Sequence, residues 1–318
     1  MTAILLGAAG TGTSFAIASR LRAVWGDEVR IVSVDINPPE LVTASLLSDI
    51  FVQVPFADNP AYENKIRTIV LSEGIDVYVP ILNEEHLVAQ NIIGDPNFGG
   101  LDVWSSELYA RCIDKELADQ FLKSIGVPTP KIIDPVGLSP QAECFVKPRS
   151  GFGSKGARKV SVEELSDLSK SELESLIIQE VCEGPEVTVD SFYDAQMDVS
   201  FAYCRERIEI KSGVCTKARV FFDPELADIA RRIGKGLQQR GTICFQAMRA
   251  RNGWAITDLN VRSGAGTAIT CSAGFDVLAA AFACRTGQNY SKFVRQLAVD
   301  EEFIVTRQYT EFVMAHRQ

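Results

Sequence analysis

Four polar side chains in the last third of the chain have the types and spacing to hold a metal ion and a phosphate. Asp258 and Asn260 are two residues apart, so on an extended strand both face the same side. Residues 252–253 are Asn-Gly, a natural hairpin turn, which would bring Gln246 opposite Asp258 or Asn260. Three oxygen ligands would then suit a Mg²⁺ ion that bridges phosphates, with Arg262 on the same side. The alternative is an ordinary β-hairpin with one polar face.

A glycine-rich, basic segment in the middle of the chain is a second candidate for phosphate chemistry. Residues 146–156 read VKPRSGFGSKG, with Lys147, Arg149 and Lys155 inside an acidic protein. A mobile loop with free amides and cationic side chains can close over a triphosphate and exclude water. The segment lacks the G-x-x-x-x-G-K-[ST] spacing of a P-loop. The alternative is a solvated surface hairpin.

A glycine-rich turn at residues 7–12 has the features of a dinucleotide-binding fingerprint. It follows an apolar strand, opens a helix, and precedes a second strand that ends in Asp35. This pattern favours an NAD(P)-dependent oxidoreductase, but its spacing is not G-x-G-x-x-G and no Tyr-x-x-x-Lys pair follows. The alternative is a tight turn without a cofactor. Asn83, Glu84 and Glu85 are expected to cap a helix, with Asn83 as the N-cap, or else to contact a substrate.

Composition excludes several classes of function. Two histidines in 318 residues nearly exclude a His-rich metal site and weaken a Ser-His-Asp interpretation. The eight cysteines contain no C-x-x-C pair, so no zinc or redox motif is indicated. A net charge of −9 argues against general nucleic-acid binding. The start has no basic leader and no apolar segment is long enough to span a bilayer, so we expect a cytoplasmic protein without a membrane partner.

The elements that must position these residues follow two patterns. In the first 108 residues, short apolar strands alternate with helices, which predicts a parallel, doubly wound sheet. A helix predicted at residues 114–125 ends at a glycine followed by prolines. Beyond it, strands flank the basic glycine-rich segment, and strands and helices then mix. Residues 303–314 are expected to form a late pair of strands.

In this order along the chain, the motifs resemble the ATP-grasp superfamily, and within it one half of the carbamoyl-phosphate synthetase large subunit. The resemblance implies an α/β protein with a Rossmann-like pre-grasp domain at residues 1–108. A two-lobed α+β ATP-grasp domain would occupy residues 109–318, with the small lobe at about 109–181 and the large lobe at about 182–318.

The resemblance also implies roles for individual residues. Gln246, Asp258 and Asn260 would be metal ligands, Arg262 would stand beside the reactive phosphate, and Lys147 would hold the α- and β-phosphates. The other ATP contacts would come from the start of the grasp region, the covering loop and the hinge between the lobes: Lys115, Ser150, Gly151, Gly153, Ser154, Gly156, Glu180, Val181, Cys182 and Glu186.

The implied enzyme is a ligase that uses ATP with Mg²⁺ or Mn²⁺ to activate a small-molecule carboxylate as an acyl phosphate, which an amine or other nucleophile then displaces. The family more often has Glu where Asp258 stands and often Pro where Val261 stands. Alternatives are carboxyphosphate or carbamate chemistry, a catalytically silent nucleotide-binding or partner-binding module, and the NAD(P) oxidoreductase. No nucleic-acid partner is expected, and a homo-oligomer is left open.

Four further cations follow the hinge on predicted strands. A cation there could recognise the carboxylate of a substrate or could be a solvated surface charge. The four are Arg205, Arg207, Lys217 and Arg219.

Overall fold

The computed structural model describes residues 1–104, 109, 112–151, 156–211, 214–250 and 253–314. Within these residues, a parallel sheet comes first and two antiparallel sheets follow. The fold class expected from the sequence is therefore confirmed. The expected boundary near residue 108 lies outside the described residues, and the domain and lobe ranges stay predictions. No helix in the described part of the chain has both the length and the apolar character needed to cross a membrane.

The first sheet has five parallel strands in the order β3-β2-β1-β4-β5. Strands β1 and β2 are almost wholly buried, because helices cover both faces of the sheet. The strands are β1 (Thr2–Leu6), β2 (Val29–Asp35), β3 (Ile50–Gln53), β4 (Val77–Val79) and β5 (Asp102–Val103). The helices between them are α1 (Gly12–Trp25), α2 (Pro60–Glu73) and α3 (Asn83–Ile93).

A three-stranded antiparallel sheet follows, with its strands in the order β7-β6-β8. The helix that precedes it is capped by Asp114, whose carboxylate accepts a hydrogen bond from the amide of Glu116 at 2.8 Å. The elements are α4 (Lys115–Ser124), β6 (Glu143–Pro148), β7 (Arg158–Ser161), α5 (Val162–Ser166), α6 (Lys170–Glu174) and β8 (Leu176–Gln179).

The largest sheet has six antiparallel strands in the order β13-β12-β9-β10-β11-β14. Helix α7 packs on β9 and β10, while α9 packs on β9 and β12. The strands are β9 (Glu183–Asp194), β10 (Val199–Lys211), β11 (Val214–Phe221), β12 (Arg240–Ala250), β13 (Gly253–Asn260) and β14 (Glu302–Thr306). The helices are α7 (Pro224–Gly236), α8 (Thr267–Ser272) and α9 (Val277–Arg285).

The parallel sheet and the six-stranded sheet are joined through one hydrophobic core. Helix α1 packs against α8 and α9, and the core residues of all three helices belong to the same cluster. At its edge, Arg20 pairs with Asp276 and Arg285 pairs with Asp102, both at 2.6 Å. This packing fixes the position of the N-terminal glycine-rich turn relative to the large sheet.

Two local expectations are wrong. One strand, β14, covers residues 302–306 and pairs with β11. Residues 307–314 are mostly exposed, so they bury no apolar face that would support a second strand. Asn83 is the first residue of α3 and not its N-cap, which is Leu82. The buried carboxylate of Glu85 reaches back and accepts a hydrogen bond from the amide of Leu82 at 3.0 Å, so the helix needs no side chain from a cap residue.

Candidate active site

The β12-β13 hairpin brings the predicted metal ligands together. Gln246 lies directly opposite Asp258, and Cys244 lies opposite Asn260. The side chains of Asp258 and Asn260 are in contact, since Asn260 Nδ2 donates to Asp258 Oδ2 at 3.0 Å. This register is the one expected from the Asn-Gly turn, although Asn252 itself lies outside the described residues.

The donor set of this hairpin fits a magnesium ion. Gln246 Nε2 donates to Glu186 Oε1 at 3.0 Å, and Asn260 Nδ2 donates to Asp258. These hydrogen bonds fix the orientation of both side-chain amides. Each of them keeps its oxygen for a ligand, as does Oδ1 of Asp258. One carboxylate with oxygen donors is a usual protein contribution to Mg²⁺, which takes its remaining ligands from water and phosphate. The described residues contain no cluster of three or more His, Cys, Asp or Glu side chains that could hold a metal.

Lys147 links the three-stranded sheet to the six-stranded sheet. Its ammonium group, on β6, donates to the carbonyl oxygen of Thr257 on β13 at 2.6 Å. Burial lowers the pKa of Lys147, and the nearby Asp258 carboxylate opposes that shift. A buried ammonium so close to the hairpin carboxylate provides positive charge where phosphate oxygens would need it.

A cleft between these two sheets collects most of the predicted nucleotide contacts. Phe145 and Met248 form apolar walls that the sequence interpretation missed. Each lies two residues from a predicted site residue on the same strand, so strand periodicity could have found them. The predicted residues that line the cleft are Lys115, Lys147, Ser150, Gly151, Glu180, Cys182, Glu186, Gln246 and Asp258.

Some predicted contacts lie elsewhere or have other partners. Val181 lines a neighbouring pocket. Gly156, at φ +78°, packs against Pro148, where an added Cβ would lie 3.0 Å from the ring, so its glycine serves a turn. Glu186 forms an ion pair with Arg207, in addition to its hydrogen bond with Gln246. Gly153 and Ser154 lie outside the described residues.

A second cleft opens beside the first and shares part of its wall. Gln246 and Asp258 line both clefts, while Asn260 and Arg262 line the second. The opposite wall of the second cleft comes from the part of the chain that forms the parallel sheet, at residues 11–13 and 82–84. Its volume is about 680 Å³, enough for a small organic molecule. The hairpin therefore forms part of the wall of both clefts.

The part of the chain that forms most of the walls of these clefts matches a known protein family. Residues 112–266 match the family described as ATP-grasp domain. The chain contains an ATP-grasp domain. This confirms the resemblance to the superfamily, and the finer likeness to carbamoyl-phosphate synthetase stays a prediction. No curated protein matches the chain in sequence.

Solved structures agree with an ATP-grasp fold over nearly the whole chain. Pyruvate carboxylase from Rhizobium etli is similar with a TM-score of 0.73 and 15% identity, covering 95% of this chain. The biotin carboxylase domain of Hydrogenobacter thermophilus 2-oxoglutarate carboxylase, in complex with MgADP, ADP and bicarbonate, has a TM-score of 0.73 and 13% identity, covering 95% of this chain. N5-carboxyaminoimidazole ribonucleotide synthetase from Thermotoga maritima has a TM-score of 0.69 and 14% identity, covering 96%. This chain spans 30%, 73% and 80% of their respective lengths.

The amides of the N-terminal glycine-rich turn donate hydrogen bonds to carboxylates of the same chain. The amide of Ala8 donates to Glu85 Oε1 at 2.9 Å, and the amide of Gly10 donates to Asp35 Oδ2 at 2.7 Å. A Cβ at Gly7 would lie 2.5 Å from the Glu85 carboxylate, so glycine is needed there for close approach. The two acids expected to hold a ribose or cap a helix thus satisfy the turn itself.

A buried histidine on α3 lies close enough to Arg262 to be affected by its charge. His86, on α3, is fully buried and stacks on Tyr109 with ring centroids 4.4 Å apart. Within the described residues, neither ring nitrogen of His86 has a hydrogen-bond partner. Burial, together with the charge of Arg262, lowers the pKa of His86 to about 3. The imidazole is therefore neutral at pH 7.

Replacing His86 by phenylalanine should make the protein less sensitive to mild acid. The unfolded chain protonates this histidine near pH 6.5 and the folded chain only near pH 3, so the wild type loses stability as pH falls through that window. At pH 5 the loss from this one group is about 2 kcal/mol. His86→Phe keeps the ring stack and removes that loss. Urea unfolding at pH 7 and pH 5 measures it, and equal losses in both proteins would contradict the prediction.

Proposed function

We propose that the protein is an ATP-dependent ligase that converts a carboxylate into an acyl phosphate and couples it to a nucleophile, with release of ADP and phosphate. ATP would bind in the cleft between the three-stranded and six-stranded sheets. The carboxylate and the nucleophile would bind in the second cleft. Mg²⁺ would be held by Gln246, Asp258 and Asn260.

One observation carries this proposal: the predicted metal-binding hairpin forms a wall of both clefts at once. Lys147 lies in the first cleft and Arg262 in the second, with Asp258 between them. A nucleotide whose phosphates lie between Lys147 and Asp258 would direct its terminal phosphate toward the second cleft. The acceptor would then meet that phosphate without entering the nucleotide cleft.

The proposed reaction needs positioning and charge neutralisation more than covalent participation of the protein. A carboxylate oxygen forms a bond to the γ-phosphorus while the bond from that phosphorus to the β–γ bridging oxygen breaks, and ADP leaves. Lys147 exchanges its contact with the Thr257 carbonyl for phosphate oxygens. Arg262 stabilises the charge on the transferring group. When bound, Mg²⁺ supplies additional charge neutralisation on the phosphates.

The second half of the reaction consumes the acyl phosphate. The lone pair of an amine, or of another nucleophile, attacks the acyl carbon, and inorganic phosphate leaves with the electrons of the C–O bond. The attacking amine loses one proton. Arg262 again faces the oxygen on which negative charge develops, and the surrounding walls limit access of water to the intermediate.

Bicarbonate as the carboxylate is a second candidate. The similar biotin carboxylase domain was determined with MgADP and bicarbonate, and the other two similar proteins include a pyruvate carboxylase. With bicarbonate, the same phosphoryl transfer would give carboxyphosphate. The NAD(P) alternative has less support, because the amides of Ala8 and Gly10 already donate to internal carboxylates.

ADP release measured against a panel of acids tests the proposal. Each assay contains Mg-ATP, one organic or amino acid, and ammonia or a primary amine, in buffer freed of bicarbonate. We expect at least one acid to stimulate ADP release well above the rate with ATP alone. Stimulation by bicarbonate alone would support the second candidate. NADH binding, seen as thermal stabilisation in the absence of any effect of Mg-ADP, would contradict both.

A further inference from the structure

Arg205 is a buried arginine on the wall of the second cleft. It lies on β10 with 3% of its surface exposed, and it lines the same chamber as Asn260 and Arg262. Its cross-strand neighbour on β9 is Thr188, and Thr188 in turn pairs with Gln246, which is opposite Asp258. Because residues in one cross-strand row share a face of the sheet, Arg205 is on the same face as the proposed metal ligands.

A buried carboxylate fixes one edge of the Arg205 guanidinium group. Asp190 is fully buried and accepts from Arg205 Nε at 3.3 Å. Thr267 and Thr270 donate their hydroxyl hydrogens to the two oxygens of Asp190, at 2.7 and 2.5 Å. Asp190 is thereby held in place by three donors, and it orients Arg205 through a single nitrogen.

The other edge of the guanidinium group has no protein partner among the described residues. The structure gives Nη1 and Nη2 of Arg205 no hydrogen bond there, although these two atoms carry four of the five N–H donors of the side chain. Neither nitrogen is among the fully buried side-chain atoms that lack a partner, and Arg205 lines the second cleft, so an occupant of that cleft can accept hydrogen bonds from them. Paired N–H groups at one edge of a guanidinium match the two oxygens of a carboxylate or phosphate.

Space for this guanidinium group is reserved by a glycine. A Cβ at Gly266 would lie 2.5 Å from Cζ and 2.6 Å from Nη2 of Arg205. Gly266 has φ −87°, which any residue adopts, so the backbone conformation does not require glycine. A larger residue at position 266 would instead collide with the guanidinium group of Arg205.

The other cations that the sequence singled out after the hinge are neutralised differently. Arg207 pairs with Glu186, Lys217 with Glu209 at 3.2 Å, and Arg219 with Glu206 and Glu302. Arg207 also lines the second cleft. The hydrogen bonds that the structure gives the side chains of Arg262 and Arg307 there are to carbonyl oxygens, of Ser263 and Ala265. The charge of this wall favours an anionic occupant.

We infer that the acid activated by this protein is a small dianion: one carboxylate is delivered to ATP beside Asn260 and Arg262, and a second carboxylate or phosphate is held by the terminal nitrogens of Arg205. This inference rests on the proposed ligase function. Asn260, Cys244 and Asp190 are neighbours in one cross-strand row, so Asn260 lies two strand spacings, about 10 Å, from the residue that anchors Arg205.

Matched pairs of anions test the inference by binding. The probes are succinate and butyrate, L-glutamate and L-glutamine, and O-phosphoserine and serine, each titrated calorimetrically into protein saturated with Mg-ADP. We expect one dianion to bind wild-type protein at least about tenfold more tightly than its matched partner, as for a charged hydrogen-bonded pair. Arg205→Lys keeps the positive charge but loses the paired N–H donors of the guanidinium group. The ratio of the two affinities should therefore fall to near one.

Two further variants make the test specific. Arg219→Lys is the matched control, since Arg219 lies on the neighbouring strand and is paired outside the cleft; it should keep the wild-type ratio. Gly266→Ala leaves Arg205 in the sequence but crowds its guanidinium group, so it should lower the ratio as Arg205→Lys does. A ratio near one in wild-type protein, or a wild-type ratio in Arg205→Lys, overturns the inference.

ADP release with the same probes separates this inference from the ligase proposal. If butyrate or bicarbonate stimulates ADP release as well as any dianion does, the protein is a ligase and the inference about Arg205 is wrong. If a dianion binds through Arg205 but no acid stimulates ADP release, the anion site stands and the ligase proposal fails.

Discussion

Arg262→Ala should lower the rate of ADP release in the presence of the stimulating acid by roughly 10²-fold or more, while Mg-ATP binds almost as tightly as to wild-type protein. Arg262 follows Asn260 by two residues and lines the second cleft, whereas Lys147 lines the first. A side chain that interacts mainly with the negative charge developing in the transition state contributes more to the rate of turnover than to binding of the nucleotide in the ground state.

The measurement pairs a steady-state assay of ADP release with calorimetric titration of Mg-ATP. Arg231→Ala is the matched control, because Arg231 is half exposed, pairs with Asp198 at 2.8 Å, and does not line either cleft. Turnover of the control should equal that of wild-type protein. An Arg262→Ala protein that turns over normally, or that loses ATP affinity as strongly as it loses rate, would place Arg262 outside the role proposed here.

Asp258→Asn should make both ATP binding and ADP release require far more Mg²⁺, with a shift of tenfold to a hundredfold or more, on the order of what loss of a metal-site group costs. Asp258 is the single carboxylate among the three proposed ligands. Asparagine keeps the shape and one oxygen but removes the negative charge that holds a divalent cation. The fold should survive, because Asn260 can still donate to the remaining oxygen.

Titration of Mg²⁺ at fixed ATP measures this shift. Asp228→Asn is the control: Asp228 is an exposed acid on α7 that pairs with Arg232 four residues later, so its loss should leave the Mg²⁺ requirement unchanged. Gln246→Glu adds a second carboxylate opposite Asp258 and should shift the requirement in the other direction. If all three proteins need the same Mg²⁺ concentration, the hairpin does not bind the metal.

Local regularity made the β12-β13 hairpin predictable from sequence. A strand has a period of two, so Asp258 and Asn260 had to share a face. The Asn-Gly turn limited the residue opposite Gln246 to one of these two, and the structure shows that it is Asp258. The N-cap of α4 at Asp114 and the alternation of strands and helices in the parallel sheet were likewise predicted from residues close together in the sequence. The short sequence range of these interactions is why they could be inferred.

The glycine-rich turn at residues 7–12 shows the opposite case. Its pattern was compatible with a dinucleotide or with an empty turn, and the sequence argued against the dinucleotide only through the incomplete glycine spacing and the missing Tyr-x-x-x-Lys pair. The choice depends on Glu85, which is 77 residues from the amide of Ala8 that it binds. Late in the chain, the pattern of residues 303–314 suggested two strands, and only the exposure of residues 307–314 rules out the second.

The sequence by itself determined which residues could do chemistry: Gln246 opposite Asp258 or Asn260, the basic segment around Lys147, and a composition with two histidines and no C-x-x-C pair. Only the tertiary structure decided which of these charges are free to meet a ligand. Arg205 and Arg219 are alike as residues on neighbouring strands, yet one is held by Asp190 at the cleft and the other is neutralised by Glu206 and Glu302. The physical reason is that the state of a charge depends on burial and on partners distant in sequence, which residue type and local spacing do not specify.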